Sequence, residues 1–332
     1  MPKLNNYLTD ISDLSVGHAQ DLEALTGCTV ILCHKGATAG VDQRGGAPGT
    51  RETDLLHPMH LVNKVHAILL AGGSAFGLDA ASGVMRYLEE KGIGFDTGIV
   101  RVPIVPAAVI FDLAIGRSDI HPNAEMGYKA CMDASSNSFL QGNVGAGTGA
   151  TVGKLFGMSG AMKSGLGSAT VESGNGLLVS ALVIVNAFGD VINPLTGTII
   201  AGTRTLVKGP IKVGSGDYFA DTLATMKTLA GKTILTFAGK SNTVIGVVAT
   251  NAKLDKDEIN KVAQMSHDGL ARVIQPAHTM FDGDTIFSLS CGKLPADVNL
   301  IGACAAEAFS LAVINAVQTA KPAGGLPSLN SL

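Results

Sequence analysis

Residues 242–250, with the sequence NTVIGVVAT, open the most regular part of the chain. From Thr243 onward this stretch is almost wholly apolar and rich in β-branched residues, a composition typical of a buried strand. Asp255 and Glu258 follow it three residues apart, as in an acidic version of the capping box that begins a helix. Apolar residues at helical spacing continue the pattern, so this part of the sequence predicts a strand followed by a helix.

The rest of the C-terminal region repeats this order. Residues 285–289 (TIFSL) are predicted as a short strand and residues 301–320 (IGACAAEAFSLAVINAVQTA) as a helix. That helix is the most membrane-like stretch of the chain, but it contains Glu307, Asn315 and Gln318 and is rich in alanine. We therefore expect a buried core helix and no association with a membrane.

Three further strands are predicted upstream, at residues 28–33, 65–70 and 177–188. The pair Gly72-Gly73 ends the second of them, and helical spacing follows over residues 75–90. Residues 40–54 are predicted as a glycine-rich loop. Strands and helices alternate, but their spacing is too irregular for a barrel of eight βα units. The fold class expected is α/β, with the layers of a sandwich.

Composition excludes several classes of protein. The 332 residues include 24 Lys and Arg against 27 Asp and Glu, so no basic excess is available for binding nucleic acid. Apolar residues make up 46% and charged residues 15%, which predicts a large core and favours a homo-oligomer that covers surplus apolar surface. Residues 1–14 show no secretory signal, and the five cysteines are scattered without CxxC spacing, so we expect a cytoplasmic protein.

Motifs for cofactors and metals are incomplete. The glycine-rich residues 142–153 (GNVGAGTGATVG) fail the P-loop pattern, and they are expected to form either a tight turn or a wall of an active site. The histidines form no HExxH motif, and His267 is expected to be solvated or to have a capping role. The Gly73-Ser74 pair lies in a GxSxG-like segment that ends in Phe76 instead of glycine, so it predicts a hydrogen-bonding turn. We expect no cofactor and no bound metal.

Two short motifs carry the remaining candidate chemistry. If the bond between Asn242 and Thr243 is cleaved, Thr243 presents both its hydroxyl and a new α-amine, whose reference pKa of about 8 suits a base at neutral pH. Asp282 and Asp284 flank a glycine just before the strand at residues 285–289. From the residues alone a turn is the default interpretation of both motifs, and the segment from Asp282 to Asp284 could also be a fragment of a calcium loop.

The chain resembles the L-aminopeptidase/D-esterase family, which includes nylon-oligomer hydrolases and β-peptidyl aminopeptidases. The resemblance covers nearly the whole chain. It is carried by residues 44–56 (RGGAPGTRETDLL), 71–78 (AGGSAFGL), 143–154 (NVGAGTGATVGK), 185–191 (VNAFGDV), 242–250 and 275–287 (QPAHTMFDGDTIF). It implies a four-layer αββα sandwich, similar to the N-terminal-nucleophile hydrolases but with different connectivity. It also implies a chain that cleaves itself before a Ser or Thr.

Carried over position by position, the resemblance implies a single hydrolase domain, 1–332, cleaved into 1–242 and 243–332. Thr243 matches the nucleophile, and Asn242 the residue before the cut. Asn186 matches an asparagine on the oxyanion side, and Lys154 a lysine near the nucleophile of nylon hydrolases. The pair Asp282 and Asp284 matches positions that hold the nucleophile's amine and help proton transfer.

Substrate handling is expected to involve Phe111, Gly73 and Ser74. Phe111 occupies a position where several members of the family carry a tyrosine. The implied function is release of N-terminal residues from peptides, amino-acid amides or esters through an acyl-enzyme. One alternative is hydrolysis of ω-amino acid or β-peptide oligomers; another is a non-catalytic binding protein that keeps the fold. The expected partners are a small peptide or amide substrate and further copies of the cleaved heterodimer.

Overall fold

A computed structural model describes residues 5–208, 211–214, 217–228, 231 and 242–332. In this part of the chain the α-helices are α1 (Ala80–Glu90), α2 (Ala124–Asp133), α3 (Thr222–Met226), α4 (Lys256–Val273) and α5 (Val298–Thr319). The strands are β1 (Leu14–Asp21), β2 (Thr26–Gln43), β3 (Thr50–Arg51), β4 (Val65–Ala71), β5 (Phe95–Asp96), β6 (Arg101–Val102), β7 (Ala107–Val109), β8 (Thr151–Val152), β9 (Met162–Lys163), β10 (Leu166–Glu172), β11 (Leu178–Asn186), β12 (Asp190–Ile192), β13 (Ile199–Ala201), β14 (Leu206–Lys208), β15 (Ile211–Val213), β16 (Thr243–Ala252), β17 (Ile274–Gln275) and β18 (Thr285–Leu294).

The long strand β2 connects two sheets. Its first part pairs with β1 and β4, and β7 and β3 extend this first sheet. Its last part pairs with β18, which lies in a second sheet with the order β10-β11-β16-β18-β2. Within the second sheet β16 is antiparallel to β11 and parallel to β18.

Three apolar cores separate four layers. One core lies between α1, α2 and the first sheet, one between the two sheets, and one between the second sheet and the pair α4 and α5. Strand β16 shows the period-2 pattern that this requires: Ile245 and Val247 face the first sheet, whereas Val244 and Val248 face the helices. The predicted αββα sandwich is therefore confirmed.

The C-terminal elements confirm the predictions from local sequence. Asp255 caps α4: its side chain accepts from the Glu258 N–H at 2.9 Å, while the Glu258 side chain accepts from the Asp255 N–H at 3.0 Å. Helix α5 is long and apolar enough to span a membrane, but 67% of its most apolar window is buried. It packs on β10, β11 and α4 as a core helix.

Two boundaries were predicted wrongly. Gly40 and the three residues after it belong to β2 rather than to a loop, because they pair with β18, a partner about 245 residues further along the chain. Glycine is required at position 40 by packing, since a Cβ there would lie 2.7 Å from the Asn260 Cα of α4. The helix predicted from residue 75 begins as a 3₁₀ segment, Ser74–Asp79, and becomes α-helical only at Ala80.

Candidate active site

The register of the second sheet brings the predicted residues together. Asn186 ends β11 and is paired directly with Thr243, which begins β16. Because β16 and β18 are parallel, the residues that precede both strands lie at the same edge of the sheet. Asp282 and Asp284 therefore lie beside the Asn242–Thr243 bond, and Asn242 forms an isolated parallel bridge with Asp282.

The Asn242–Thr243 bond is buried and held on both sides. Asn242 and Thr243 are 2% and 4% exposed. The Asn242 N–H donates to the Phe281 carbonyl at 3.1 Å, and the Gly283 N–H donates to the Asn242 carbonyl oxygen at 2.9 Å. The Thr243 hydroxyl donates to that same carbonyl oxygen. A side-chain hydroxyl and a backbone donor thus meet at one peptide carbonyl.

Position 283 requires glycine. A Cβ built there would lie 2.6 Å from the Ala47 carbonyl oxygen and 2.9 Å from Thr243 Oγ1. The glycine between the two aspartates therefore permits the close approach of the Thr243 hydroxyl, which the sequence alone does not reveal.

The two aspartates hold different partners. Asp282 accepts from the Phe188 N–H at 3.2 Å and from the Thr279 hydroxyl. Burial raises the pKa of Asp282 to about 6, and the neighbouring charge of Asp284 adds to this effect. Asp284 accepts from the Val244 N–H at 2.8 Å, one residue after Thr243. Both carboxylates are thus fixed by backbone groups around Thr243.

Lys154 and Asn186 form a buried pair on the other side of the bond. The Lys154 ammonium donates to the Asn186 carbonyl oxygen at 2.9 Å and to its Oδ1 at 2.7 Å. Burial lowers the pKa of Lys154 to about 7, although Asp282 acts in the opposite direction. The Asn186 Nδ2 donates to the Phe111 carbonyl at 2.9 Å, which in the described part of the chain leaves its second N–H for a further acceptor.

Two small cavities adjoin the Asn242–Thr243 bond. One, of about 100 Å³, is lined by Phe111, Lys154 and Asn242, with apolar walls from Ala114, Ile115 and Met158. The other, of about 120 Å³, is lined by Ser74, Phe111, Asn242, Thr243 and the backbone around Pro48. Phe111 lines both cavities and so stands between them.

Gly73 and Ser74 form the predicted turn. Gly73 has a φ of +77°, and its N–H donates to Asp112 Oδ1 at 2.6 Å. Ser74 lines the second cavity, whereas Gly73 is not among the residues that line either cavity. The structure thus places Ser74 at the site and Gly73 one residue behind it.

The glycine-rich residues 142–153 form a tight turn. The structure has a 3₁₀ segment at Gly145–Gly147 and then β8. Other protein oxygens accept from the N–H groups of Gly145, Ala146, Gly147, Thr148, Ala150, Thr151 and Gly153. The Thr151 N–H donates to Asn186 Oδ1 at 3.1 Å, and Gly149 and Thr151 form part of the wall of the first cavity. The segment thus positions Asn186 from behind, and these donors are not available to an oxyanion.

Two histidines near the site, His278 and His267, have positions that the sequence did not predict. His278 donates to Asp284 through both its backbone N–H and its ring. His267, expected to be solvated, is fully buried in α4 and contacts Asp42. Its burial follows from the packing of α4 against β2, which local sequence does not specify. Among the described residues no three His, Cys, Asp or Glu side chains are grouped to hold a metal ion.

Comparison with known proteins agrees with this geometry. Residues 6–328 match the model of peptidase family S58. The chain is 40% identical to an uncharacterized aminopeptidase of Mycobacterium tuberculosis (strain H37Rv), covering 98% of both chains. It is 33% identical to a 6-aminohexanoate-oligomer endohydrolase of Kocuria sp., covering 93% of this chain and 85% of that protein.

A solved structure shows the same fold. The L-aminopeptidase D-Ala-esterase/amidase of Ochrobactrum anthropi is described as a new variant of the Ntn hydrolase fold. It superposes with a TM-score of 0.71 at 17% identity, over 97% of this chain and 88% of that one. The fold and the relatives together define a peptidase or amidohydrolase. The chain belongs to peptidase family S58.

Proposed function

We propose that this enzyme cleaves its own Asn242–Thr243 bond and then uses Thr243 as an N-terminal nucleophile to hydrolyse amides. One observation carries the proposal: the Thr243 hydroxyl and the Gly283 N–H converge on the Asn242 carbonyl oxygen. The hydroxyl supplies a nucleophile beside the carbonyl, and the N–H supplies a donor for the negative charge that develops on its oxygen.

In the self-cleavage step Thr243 Oγ attacks the carbonyl carbon of Asn242. The C–O bond forms, the C–N bond breaks, and the hydroxyl proton passes to the departing nitrogen, which becomes the α-amine of Thr243. Water then opens the ester, leaving a carboxylate on Asn242 and the free hydroxyl on Thr243. The products are residues 1–242 and residues 243–332.

In turnover the new α-amine takes the proton of the Thr243 hydroxyl as this attacks a substrate carbonyl. Asn186 and the Gly283 N–H stabilise the oxyanion, and Asp282 and Asp284 orient the ammonium. The amine product leaves with the proton, and water releases the acid from the acyl-enzyme. Lys154 holds Asn186 in place through two hydrogen bonds.

The substrate proposed is a small peptide, amino-acid amide or ester from which the enzyme releases the N-terminal residue. The aminopeptidase relative at 40% identity supports this choice. Hydrolysis of ω-amino acid oligomers is the second candidate, and the 6-aminohexanoate-oligomer endohydrolase at 33% identity favours it. The apolar walls of the first cavity, with Lys154 at one side, accommodate either an aliphatic side chain or an alkyl linker.

A denaturing gel tests the self-cleavage. In proportion to length, the 33.8 kDa chain is expected to give bands of about 25 and about 9 kDa. Thr243→Ala removes the nucleophile and is expected to stay at full length, whereas Thr243→Ser keeps a hydroxyl and is expected to cleave. N-terminal sequencing of the small band should begin at Thr243.

Hydrolysis assays then separate the substrate classes. Amine release from aminoacyl p-nitroanilides, β-peptides and 6-aminohexanoate oligomers is to be compared between cleaved wild type and Thr243→Ala. A wild type that remains one band after long incubation, or a Thr243→Ala variant that still cleaves, contradicts the proposal. A cleaved wild type without activity on any amide indicates a binding protein instead.

A further inference from the structure

The Asp284 carboxylate is fixed on both of its oxygens. Its Oδ1 accepts from the Val244 N–H, directly after the nucleophile. Its Oδ2 accepts twice from His278, from the backbone N–H at 3.0 Å and from ring Nδ1 at 2.8 Å. Asp284 is 1% exposed, so these donors replace the water that would otherwise solvate its charge.

His278 adopts an unusual backbone conformation to make this contact. Its φ is +56°, in the left-handed region, which is uncommon for residues other than glycine and which His, like Asn and Asp, adopts more often than most. In this conformation the backbone N–H and ring Nδ1 point to the same oxygen. Strain of this kind persists where surrounding contacts impose it, and it is concentrated at functional sites.

A second histidine, His267, packs against the ring of His278. The rings of His278 and His267 lie edge to face, with centroids 4.8 Å apart. His267 Nε2 lies 3.0 Å from the Asp42 carbonyl, which only accepts, so this nitrogen carries the proton. Burial lowers the pKa of His267 to about 4, so its ring is uncharged at neutral pH.

The protons of the two rings can now be assigned. His278 Nδ1 faces a carboxylate and therefore carries its proton. The remaining nitrogens, His278 Nε2 and His267 Nδ1, are buried and have no hydrogen-bond partner among the described residues. His267 Nδ1 is then a lone pair, and the His278 Nδ1 donor is committed to Asp284.

We propose that His278 is a positioning residue, which holds Asp284 in the orientation and charge state that the α-amine of Thr243 requires. This role rests on the proposed function. The charged and titratable groups that face His278 are Asp284, His267 and, beyond His267, the ion pair of Asp42 with Arg44. Of these, Asp284 alone accepts from the His278 ring.

Two substitutions separate the hydrogen bond from the backbone strain. His278→Asn tolerates a positive φ and places an amide N–H where Nδ1 lies, so it keeps the donor. His278→Gly relieves the strain and keeps the backbone N–H, but removes the side-chain donor. Asn175→Gly is the matched control, because Asn175 has a φ of +50° in an exposed turn at the far end of β11.

Self-cleavage and the pH dependence of kcat and KM are to be measured for all three variants. Loss of a hydrogen bond to a charged group predicts that His278→Gly lowers kcat about 10- to 100-fold with KM nearly unchanged. It also predicts an acid limb displaced to higher pH, because the Asp282 and Asp284 pair becomes harder to ionise. His278→Asn and Asn175→Gly are expected to stay within about threefold of wild type.

Histidine-selective NMR supplies a readout that does not depend on activity. We expect the His278 proton on Nδ1 in Thr243→Ala, and a shift of the tautomer towards Nε2 in the Thr243→Ala, Asp284→Ala double variant. An unchanged tautomer overturns the contact. Equal activity of His278→Gly and wild type, or equal loss in His278→Gly and His278→Asn, overturns the positioning role. A wild type without cleavage and hydrolysis overturns the proposed function itself.

Discussion

Lys154 and Asp282 are two ionisable residues that the fold buries close to the Asn242–Thr243 bond. Burial disfavours the charged form of each, so the pKa of the lysine falls to about 7 while that of the aspartate rises to about 6. Groups with pKa values displaced towards neutrality are concentrated at catalytic sites, although structural networks also produce them. Here both groups contact residues that position Thr243, which favours the catalytic interpretation.

The shift of Lys154 predicts how stability depends on pH. Its pKa is lower in the folded chain than the ordinary value of 10.5. Between about pH 7 and about pH 10 the unfolded chain therefore binds the proton and the folded chain does not, so the free energy of unfolding rises with pH. The contribution is up to ~1.4 kcal/mol per pH unit.

Urea unfolding of Thr243→Ala and of the Thr243→Ala, Lys154→Met double variant checks this, because both chains stay uncleaved. Titrating groups that do not interact with Lys154 are common to the pair and cancel in the difference, and Asp282, which does interact with it, has a pKa of about 6, at the lower edge of the range compared. We expect the stability difference to move in favour of the lysine as pH rises above about 7. A difference that is flat over this range would show that Lys154 is not buried in the folded chain.

Helix α4 begins at a capping box that is visible in the sequence, and it carries a residue that lies next to the candidate active site. Its capping box sets where it begins, and its apolar side packs on β18 and β2. The same helix carries His267, which lies against His278. The capping pattern at Asp255 and Glu258 thus sets the start of the helix that carries His267 about three turns further on.

Removal of the cap is expected to destabilise this element. Asp255→Ala deletes the acceptor of the Glu258 N–H, so we expect a loss of about 0.5–2 kcal/mol in the free energy of unfolding. Asp257→Ala is the control, because it removes the same charge in the first turn without removing the cap. Chemical denaturation in the Thr243→Ala background measures both, and equal losses would assign the effect to charge alone.

The two chains expected from cleavage, residues 1–242 and 243–332, share a sheet and two of the apolar cores. Residues 243–332 supply β16, β18, α4 and α5, whereas β10, β11 and β2 come from residues 1–242. Strand β16 lies between β11 of one part and β18 of the other. Two of the three cores contain residues from both parts, so separation would expose them to water.

We therefore expect the two chains to remain together after cleavage. Light scattering with size-exclusion chromatography should give both bands in one peak, at a multiple of 33.8 kDa. A homo-oligomer stays a prediction from the composition, with 46% apolar and 15% charged residues. A free small chain in native buffer would contradict the expectation that the two chains stay together. A mass of 33.8 kDa would contradict the homo-oligomer.

The sequence by itself determined the elements whose signals are local. The apolar strand from Thr243, the cap at Asp255 and the apolar helix that became α5 follow from patterns within about twenty residues. The residues proposed as nucleophile and paired carboxylates stand out as short motifs, but their roles rest on the family resemblance. The strand, the cap and the helix rest on local patterns alone. Local spacing suffices in these cases because the interactions that it encodes join near neighbours.

Only the tertiary structure decided how these elements meet. Three features join segments that are distant in the chain: β2 crosses from one sheet to the other, His267 is buried, and the Gly283 N–H donates to the Asn242 carbonyl. Glycines 40 and 283 resemble loop residues in the sequence, yet each is required by the close approach of another segment. Strand pairing and desolvation depend on partners far along the chain, and for that reason folding, not local pattern, assembles the site.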